Sequence, residues 1–153
     1  MKLKIINIDK NSSDKNLKEC IALLLEQMAF IDSVSTFEKV ENGLRLALNY
    51  QETTKVFAVE NSGDEIVGIL FANKGASIEK SGYYLWINEL YVKDTERNKG
   101  VGTKLMNHVF DWCKTEGIRG ISLATSVDNE TAQNLYHKLG LDSDQVLLFN
   151  KKN

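Results

Sequence analysis

The chain has no proline among its 153 residues. Every turn must be made by Gly, Asn, Asp or Ser, which reach turn geometry by other routes. Cysteine is scarce too: Cys20 and Cys113 are far apart, each inside a helical apolar pattern. With no Cys-x-x-Cys pair and no Cys/His cluster, no metal is expected. The pattern predicts two reduced, buried thiols. No apolar run approaches the roughly 20 residues needed to span a bilayer. The apolar run of Met1 to Asp9 is too short for a signal peptide. A cytoplasmic protein with no membrane partner is expected. The net charge of −2 gives no overall basic field, so no nucleic-acid partner is expected either.

What is present suits an ordinary globular protein, with 42% hydrophobic and 26% charged residues. The length suits one domain over residues 1–153, with a substantial core. Lys2 to Ile8 is β-branched and alternates loosely, which predicts a strand. Ser13 or Asp14 caps a helix carrying Leu17, Ile21, Leu24 and Met28 at helical spacing. Ala29 to Ser35 reads as a loop. Thr36 caps a second helix with Phe37, Val40, Leu44 and Leu48 on one face. Lys55–Glu60 and Glu65–Ala72 flank the turn signal Asn61-Ser-Gly-Asp64 and form a hairpin. Asn73 to Gly82 is open between a loop and a continuing strand. Tyr83–Val92 is a strong strand. A helix from Val101 to Glu116 ends at Gly117, and a strand spans Arg119–Ser126. Asn129 opens a short helix stopped by Gly140. Val146–Lys151 is the last predicted strand. The order is β-α-α-β-β-β-α-β-α-β. The unit 83–126 requires a parallel crossover. The fold class is therefore α/β (α+β), a mixed, mostly antiparallel sheet with helices on both faces.

One stretch carries chemistry. Leu90-Tyr91-Val92 leads into a polar turn ending in Arg97-Asn98-Lys99-Gly100-Val101-Gly102, and a helix starts at once. Strand, basic glycine turn and helix suit a phosphate, because helix-start N–H groups are unpaired and the dipole end is positive. A Walker-type loop needs Gly, four residues, then Gly-Lys-Ser/Thr; here Gly100 and Gly102 lie two apart. A dinucleotide fingerprint needs a third small residue, where this chain has Leu105. What remains is Arg-x-x-Gly-x-Gly. By itself it fits either a phosphate loop or a tight turn before a helix.

A second segment adds to it: Asn129-Glu-Thr-Ala132-Gln-Asn-Leu135-Tyr136-His-Lys-Leu139-Gly140. Loop and segment, in this order from about Glu89 to Leu141, resemble the GNAT superfamily (Gcn5-related N-acetyltransferases). The family pattern resembles Val-x-Pro-x-x-Arg-Gly-x-Gly-x-Gly. Here Asp94 stands for its proline and Asn98 for its first glycine. Asn tolerates unusual backbone angles, so the loop geometry is expected to survive. Glu96 is expected to point outward.

The resemblance implies a GNAT-like acyl-CoA N-acyltransferase fold and an N-acetyltransferase that takes acetyl-CoA (coenzyme A) as co-substrate. Backbone amides of Asn98, Lys99, Gly100, Val101, Gly102 and Thr103 would hold its pyrophosphate, with Arg97 and Lys99 as added charges. Lys104 is either a further charge or a solvated lysine. The pantetheine would pair along the strand Asn88–Val92. A backbone N–H of Leu90 or Tyr91 would face the thioester oxygen. Asn129 would contact the coenzyme, cap its helix, or both. Tyr136 would donate to the departing thiolate, and Glu89 would take the amine proton, directly or through water; each is otherwise a packing or surface residue. No cysteine stands in a nucleophile's position, so the amine attacks directly. The acceptor is a small-molecule amine or a protein or peptide amine, and a homodimer fits the resemblance. From another class, a non-catalytic acyl-CoA-binding sensor or partner module shares these features.

Overall fold

A computed structural model describes residues 2–153. Its elements are β1 (Lys4–Ile8), α1 (Asp14–Phe30), α2 (Phe37–Leu48), β2 (Thr54–Glu60), β3 (Ile66–Ser77), β4 (Gly82–Val92), a 3-10 turn (Asp94–Glu96), α3 (Val101–Glu116), β5 (Gly120–Leu123) and α4 (Glu130–Lys138). The five strands form one sheet in the order β1-β2-β3-β4-β5. The first three pairings are antiparallel and β4–β5 is parallel. That is the mixed, mostly antiparallel sheet expected from the sequence.

Polar residues make the turns. The Asn61 carboxamide oxygen accepts from the Gly63 and Glu65 N–H groups at 2.9 and 3.0 Å, closing the β2–β3 turn. Asp32, Asp64, Ser81 and Asn98 adopt positive φ. Ser13, Thr36 and Asn129 cap α1, α2 and α4 with side-chain oxygens on backbone N–H groups. Gly117, at φ +68°, ends α3.

Alternation along the strands separates two cores. On one face Val56, Ala58, Ile66, Ile69 and Tyr91 pack under α1 and α2 through Leu17, Ile21 and Leu44. On the other, Val59, Val67, Leu70, Leu85 and Ile87 pack under α3 through Val101, Leu105, Met106 and Val109. Cys20 and Cys113 lie in these cores. Burial pushes their thiols up to about 12 and about 11, so both stay protonated and inert.

The start of α3 is seated by Gly68 of β3. A Cβ there would lie 2.5 Å from Val101 Cγ1 and 3.3 Å from Leu105 Cδ1. Gly68→Ala is therefore expected to cost about 1–3 kcal/mol through overpacking. At about 2–4 °C per kcal/mol for a chain of this size, thermal denaturation should show a lower Tm. An unchanged Tm would contradict this seating.

Four boundaries differ from the sequence expectation. Helix α1 continues through Ala29 to Phe30. The segment after Ala72 is strand, extending β3 to Ser77 against β4. β5 is shorter than Arg119–Ser126, because its pairing with β4 ends at Leu123. Val146–Lys151 is not a strand: residues 141–153 have no regular secondary structure. A strand needs a neighbour for its backbone groups, and this segment pairs with none among the described residues.

Candidate active site

The site begins with an irregularity in β4. Glu89 pairs with Phe71, whereas Ile87 pairs with Ala72. Asn88 is thus one extra residue, a β-bulge, which bends a strand and locally disrupts its ladder. Its side chain is held by Asn73, whose Nδ2 donates to Asn88 Oδ1 at 2.6 Å. The β4–β5 pairing covers Tyr84–Ile87 and stops at the bulge. From Asn88 to Val92, β4 has β3 on one side and a gap on the other.

Backbone alternation fixes what faces the gap. The Lys93 N–H donates to the Val67 carbonyl at 2.8 Å, toward β3. In an antiparallel pair, alternate residues direct their backbone groups to the partner. Glu89 and Tyr91 therefore share the Lys93 orientation, and Leu90 and Val92 present theirs to the gap. The Val92 carbonyl agrees, accepting from Arg97 Nε at 3.2 Å. Of the two backbone donors expected from the sequence, Leu90 faces the gap and Tyr91 faces β3.

The loop beyond β4 contains Asn98 at φ +62° and Gly100 at φ +82°. The asparagine standing for the family's first glycine thus adopts the left-handed geometry. The first backbone bond of α3 runs from the Lys104 N–H to the Gly100 carbonyl at 3.0 Å. Val101, Gly102 and Thr103 precede it, so their N–H groups have no intrahelical partner. Gly102 lies where three elements meet: a Cβ there would be 3.3 Å from Leu135 Cδ2 of α4 and 3.7 Å from Val92 Cγ2 of β4.

The charged side chains of the loop are engaged with one another. Arg97 pairs with Asp94 at 3.0 Å, and its guanidinium lies 5.3 Å from the rings of both Phe30 and Tyr91. Lys99 pairs with Glu96 at 3.0 Å. Glu96 does not point outward as expected: its side chain is only 18% exposed. Two acids offset two bases, so the anion-attracting character of the loop rests on its backbone donors. Lys104 is exposed.

Glu89 and Tyr136 stand on different faces. Glu89 shares its strand side with Tyr91, which belongs to the core under α1, and it is half-buried. Burial raises its carboxyl above the usual range, partly offset by a hydrogen bond from Gln27 of α1. Gln27 was not anticipated, since one glutamine on an amphipathic helix has no sequence signature. Its Oε1 is buried without a hydrogen-bond partner among the described residues. Tyr136 and Leu90 border the core under α3. Burial raises the Tyr136 phenol above its ordinary value. Asn129 accepts from the Ala132 N–H at 3.1 Å, so its capping role is realised. His108 is half-buried, its ring T-shaped to that of Phe57 with centroids 4.8 Å apart. His137 is exposed.

Beside the loop, an open cleft of about 440 Å³ lies between the end of α1 and the β4 exit, lined by Glu26, Phe30, Tyr91, Asp94 and Arg97 among others.

Residues 19–141 match the model of the acetyltransferase (GNAT) family. The chain belongs to this family. An uncharacterized N-acetyltransferase of Bacillus subtilis, YhdJ, is 26% identical over 145 residues, 94% of this chain and 96% of its own length. An uncharacterized N-acetyltransferase of Methanocaldococcus jannaschii, MJ1207, is 33% identical over 61 residues, 40% of this chain; the match spans about a quarter of that relative's length, 27%. A crystal structure of a probable acetyltransferase superposes with a TM-score of 0.85 at 20% identity, covering 97% of this chain and 99% of its own. At that identity the likeness concerns the fold.

Proposed function

We propose that the chain is a single-domain N-acetyltransferase that moves the acetyl group of acetyl-CoA to a primary amine by direct attack. The observation that carries this reading is the break between β4 and β5 at Asn88, with the start of α3 beyond it. A sheet separates its two faces except where strands part. Here the parting gives groups under α1 access to groups under α3. An amine beside Glu89 and a thioester beside Tyr136 can meet there.

The chain's own residues fit the coenzyme. The backbone groups of Asn98 to Thr103 suit a pyrophosphate, and the positive φ values of Asn98 and Gly100 give the loop its turn. The amide groups of a pantetheine would complement the Leu90 backbone groups and the Val92 N–H on the gap side; the Val92 carbonyl is already engaged by Arg97. Bound acetyl-CoA supplies the activated acetyl group and a thiolate leaving group. Glu89 takes the proton of the attacking amine. Gln27, through its hydrogen bond to Glu89, orients that carboxylate. The Leu90 N–H holds the developing oxyanion, and Tyr136 donates to the thiolate. Asn129 orients α4 and adds a coenzyme contact. The cleft beside Glu26 admits the acceptor, and its carboxylate suits a cationic amine.

The raised carboxyl of Glu89 sets the pH dependence. Its carboxylate is the active form, so kcat/KM should fall as pH drops through a midpoint above the usual carboxylate range. Glu89→Gln should remove that acid limb and lower turnover by roughly 10²–10⁴-fold. The stability effect has the opposite sign. A carboxyl raised in the fold binds more protons there than when unfolded, so its ionisation disfavours folding as pH rises. Glu89→Gln should therefore raise Tm at neutral pH, with the gain disappearing below pH about 4, where the unfolded carboxyl is also protonated. An unaltered pH profile would remove Glu89 as the base.

The test of the whole reading is thiol release from acetyl-CoA across small amines, polyamines, aminoglycosides and peptides, paired with calorimetric titration of acetyl-CoA. Release with at least one amine is expected. Binding without release against the whole panel would favour a non-catalytic module.

A further inference from the structure

On the acetyltransferase reading, we propose that an open hollow beside α2 holds an uncharged, apolar body of the acceptor amine, and that Gly43 keeps this hollow open. Gly43 lies in the interior of α2 without a positive φ. Glycine there destabilises a helix relative to alanine. No neighbour requires its lack of a side chain, since a Cβ there would meet nothing within 4 Å. Gly43, Leu46 and Ala47 fall at i, i+3 and i+4, on one face of the helix. With Tyr50, Phe71 and Asn73 they line a hollow of about 330 Å³. That lies at the lower end of the roughly 300–1,000 Å³ of small-molecule pockets.

Strand register puts this hollow next to the reacting groups. Phe71 is the cross-strand partner of Glu89, so both side chains stand on the face under α1 and α2. Asn73, two residues further along β3, shares that face and holds Asn88 of the bulge. Tyr91, on the other side of Glu89 along β4, lines the charged cleft. Glu89 thus stands between two openings of different character. One carries Glu26, Lys93, Asp94 and Arg97; the other has no charged residue. The charged cleft draws in an ammonium group, and the hollow receives what that group is attached to.

The lining sets the chemical class. Its hydroxyls are already spent within the chain: Thr53 Oγ1 donates to the Tyr50 carbonyl at 3.2 Å, and Thr54 Oγ1 donates to the Ala47 carbonyl. The Asn73 amide donates to Asn88. What is left open is apolar. Leu46 and Tyr50 are 60% and 59% exposed, and Trp86, the cross-strand partner of Asn73, is 37% exposed. Rings and aliphatic carbon left in water beside a carboxylate suit an aromatic or branched alkyl group. A second charge on the acceptor would find no partner in this lining. The class is therefore a primary amine on an uncharged aromatic body.

Calorimetric titration of the chain saturated with coenzyme A, using 4-phenylbutylamine and butylamine, tests this without turnover. The aromatic amine should bind roughly 10- to 100-fold tighter than its alkyl counterpart. Gly43→Leu should abolish that preference by filling the hollow, while butylamine binding is kept. Leucine is the better helix former, so the variant's Tm should hold or rise. Leu46→Ser, at an exposed position, should reduce the preference by removing apolar lining, and it decides the matter if Gly43→Leu lowers Tm. Equal binding of the two amines, or a full preference in a stable Gly43→Leu, would overturn the proposal. Thiol release from other amines with no such preference would overturn the hollow and keep the acetyltransferase reading. The preference without thiol release from any amine would do the reverse.

Discussion

Gly102→Glu is expected to abolish acetyl-CoA binding. The substitution places a carboxylate at the start of α3, among the N–H groups that precede the first helical bond. Two effects add. The side chain must pass Leu135 Cδ2 and Val92 Cγ2, already 3.3 and 3.7 Å from the first carbon it would add. Its charge then faces a pyrophosphate: at about 5 Å and an effective dielectric of about 20, each like-charge pair costs about 3 kcal/mol. One such pair is roughly a 100-fold loss of affinity, and a pyrophosphate presents at least two charges. The neighbouring Arg97 and Lys99 give little relief, because Asp94 and Glu96 already hold them. Gly102→Gln separates size from charge and should retain part of the affinity. Gly102→Ala, tight against the mobile end of Leu135 and in ordinary contact with Val92, should retain most of it. Calorimetric titration reads all three. Undiminished binding by the glutamate variant would rule out this phosphate site.

Tyr136→Phe is expected to lower turnover by roughly 10- to 100-fold while acetyl-CoA affinity stays nearly constant. A thiolate receiving a hydrogen bond gains about 1.5–3 kcal/mol, the range for bonds to charged groups. The bond forms as the thioester breaks, so its loss affects kcat more than binding. A phenol of ordinary pKa about 10 facing a thiol of about 8.5 already loses roughly 2 kcal/mol on full proton transfer. Burial raises the phenol further, so transfer becomes harder while donation persists. On the proposed mechanism, Tyr136 would therefore act as a neutral donor throughout the assay range. The loss should be the same at every pH below about 9, unlike that of Glu89→Gln. Unchanged turnover would remove Tyr136 from the mechanism.

These two variants test features that the sequence exposes to different degrees. The glycine loop and the Asn129–Tyr136 segment are local signals: each lies within one stretch of chain, and turn and cap chemistry leave marks there. The helices could be read for the same reason, since Leu17, Ile21 and Leu24 show their buried stripe directly. The bulge has no such mark. Asn88 reads as one more strand residue, and the shift appears only when β4 is laid against β3. Glu89 is hydrogen-bonded by Gln27, about sixty positions earlier, and no local pattern links them. The last strand misled for a related reason. Val146 to Phe149 have strand composition, but a strand is a property of a pair, and composition does not say where the partner is. The loop charges were legible as types and not as pairs; Glu96 turned to Lys99 instead of to solvent.

The bulge has one more consequence, for how this sheet tolerates length change. Side chains along a strand alternate with a period of two, so an extra residue inverts everything beyond it unless a bulge absorbs it. Deleting Asn88 would make Ile87–Ala72 and Glu89–Phe71 consecutive pairs in an unbroken ladder with β3. Glu89 to Val92 would keep their present faces, and the bend at the bulge would go. The gap would lose its cause while its lining kept its orientation. Asn88 thus acts as a spacer: a single residue whose presence, more than its chemistry, keeps the sheet open.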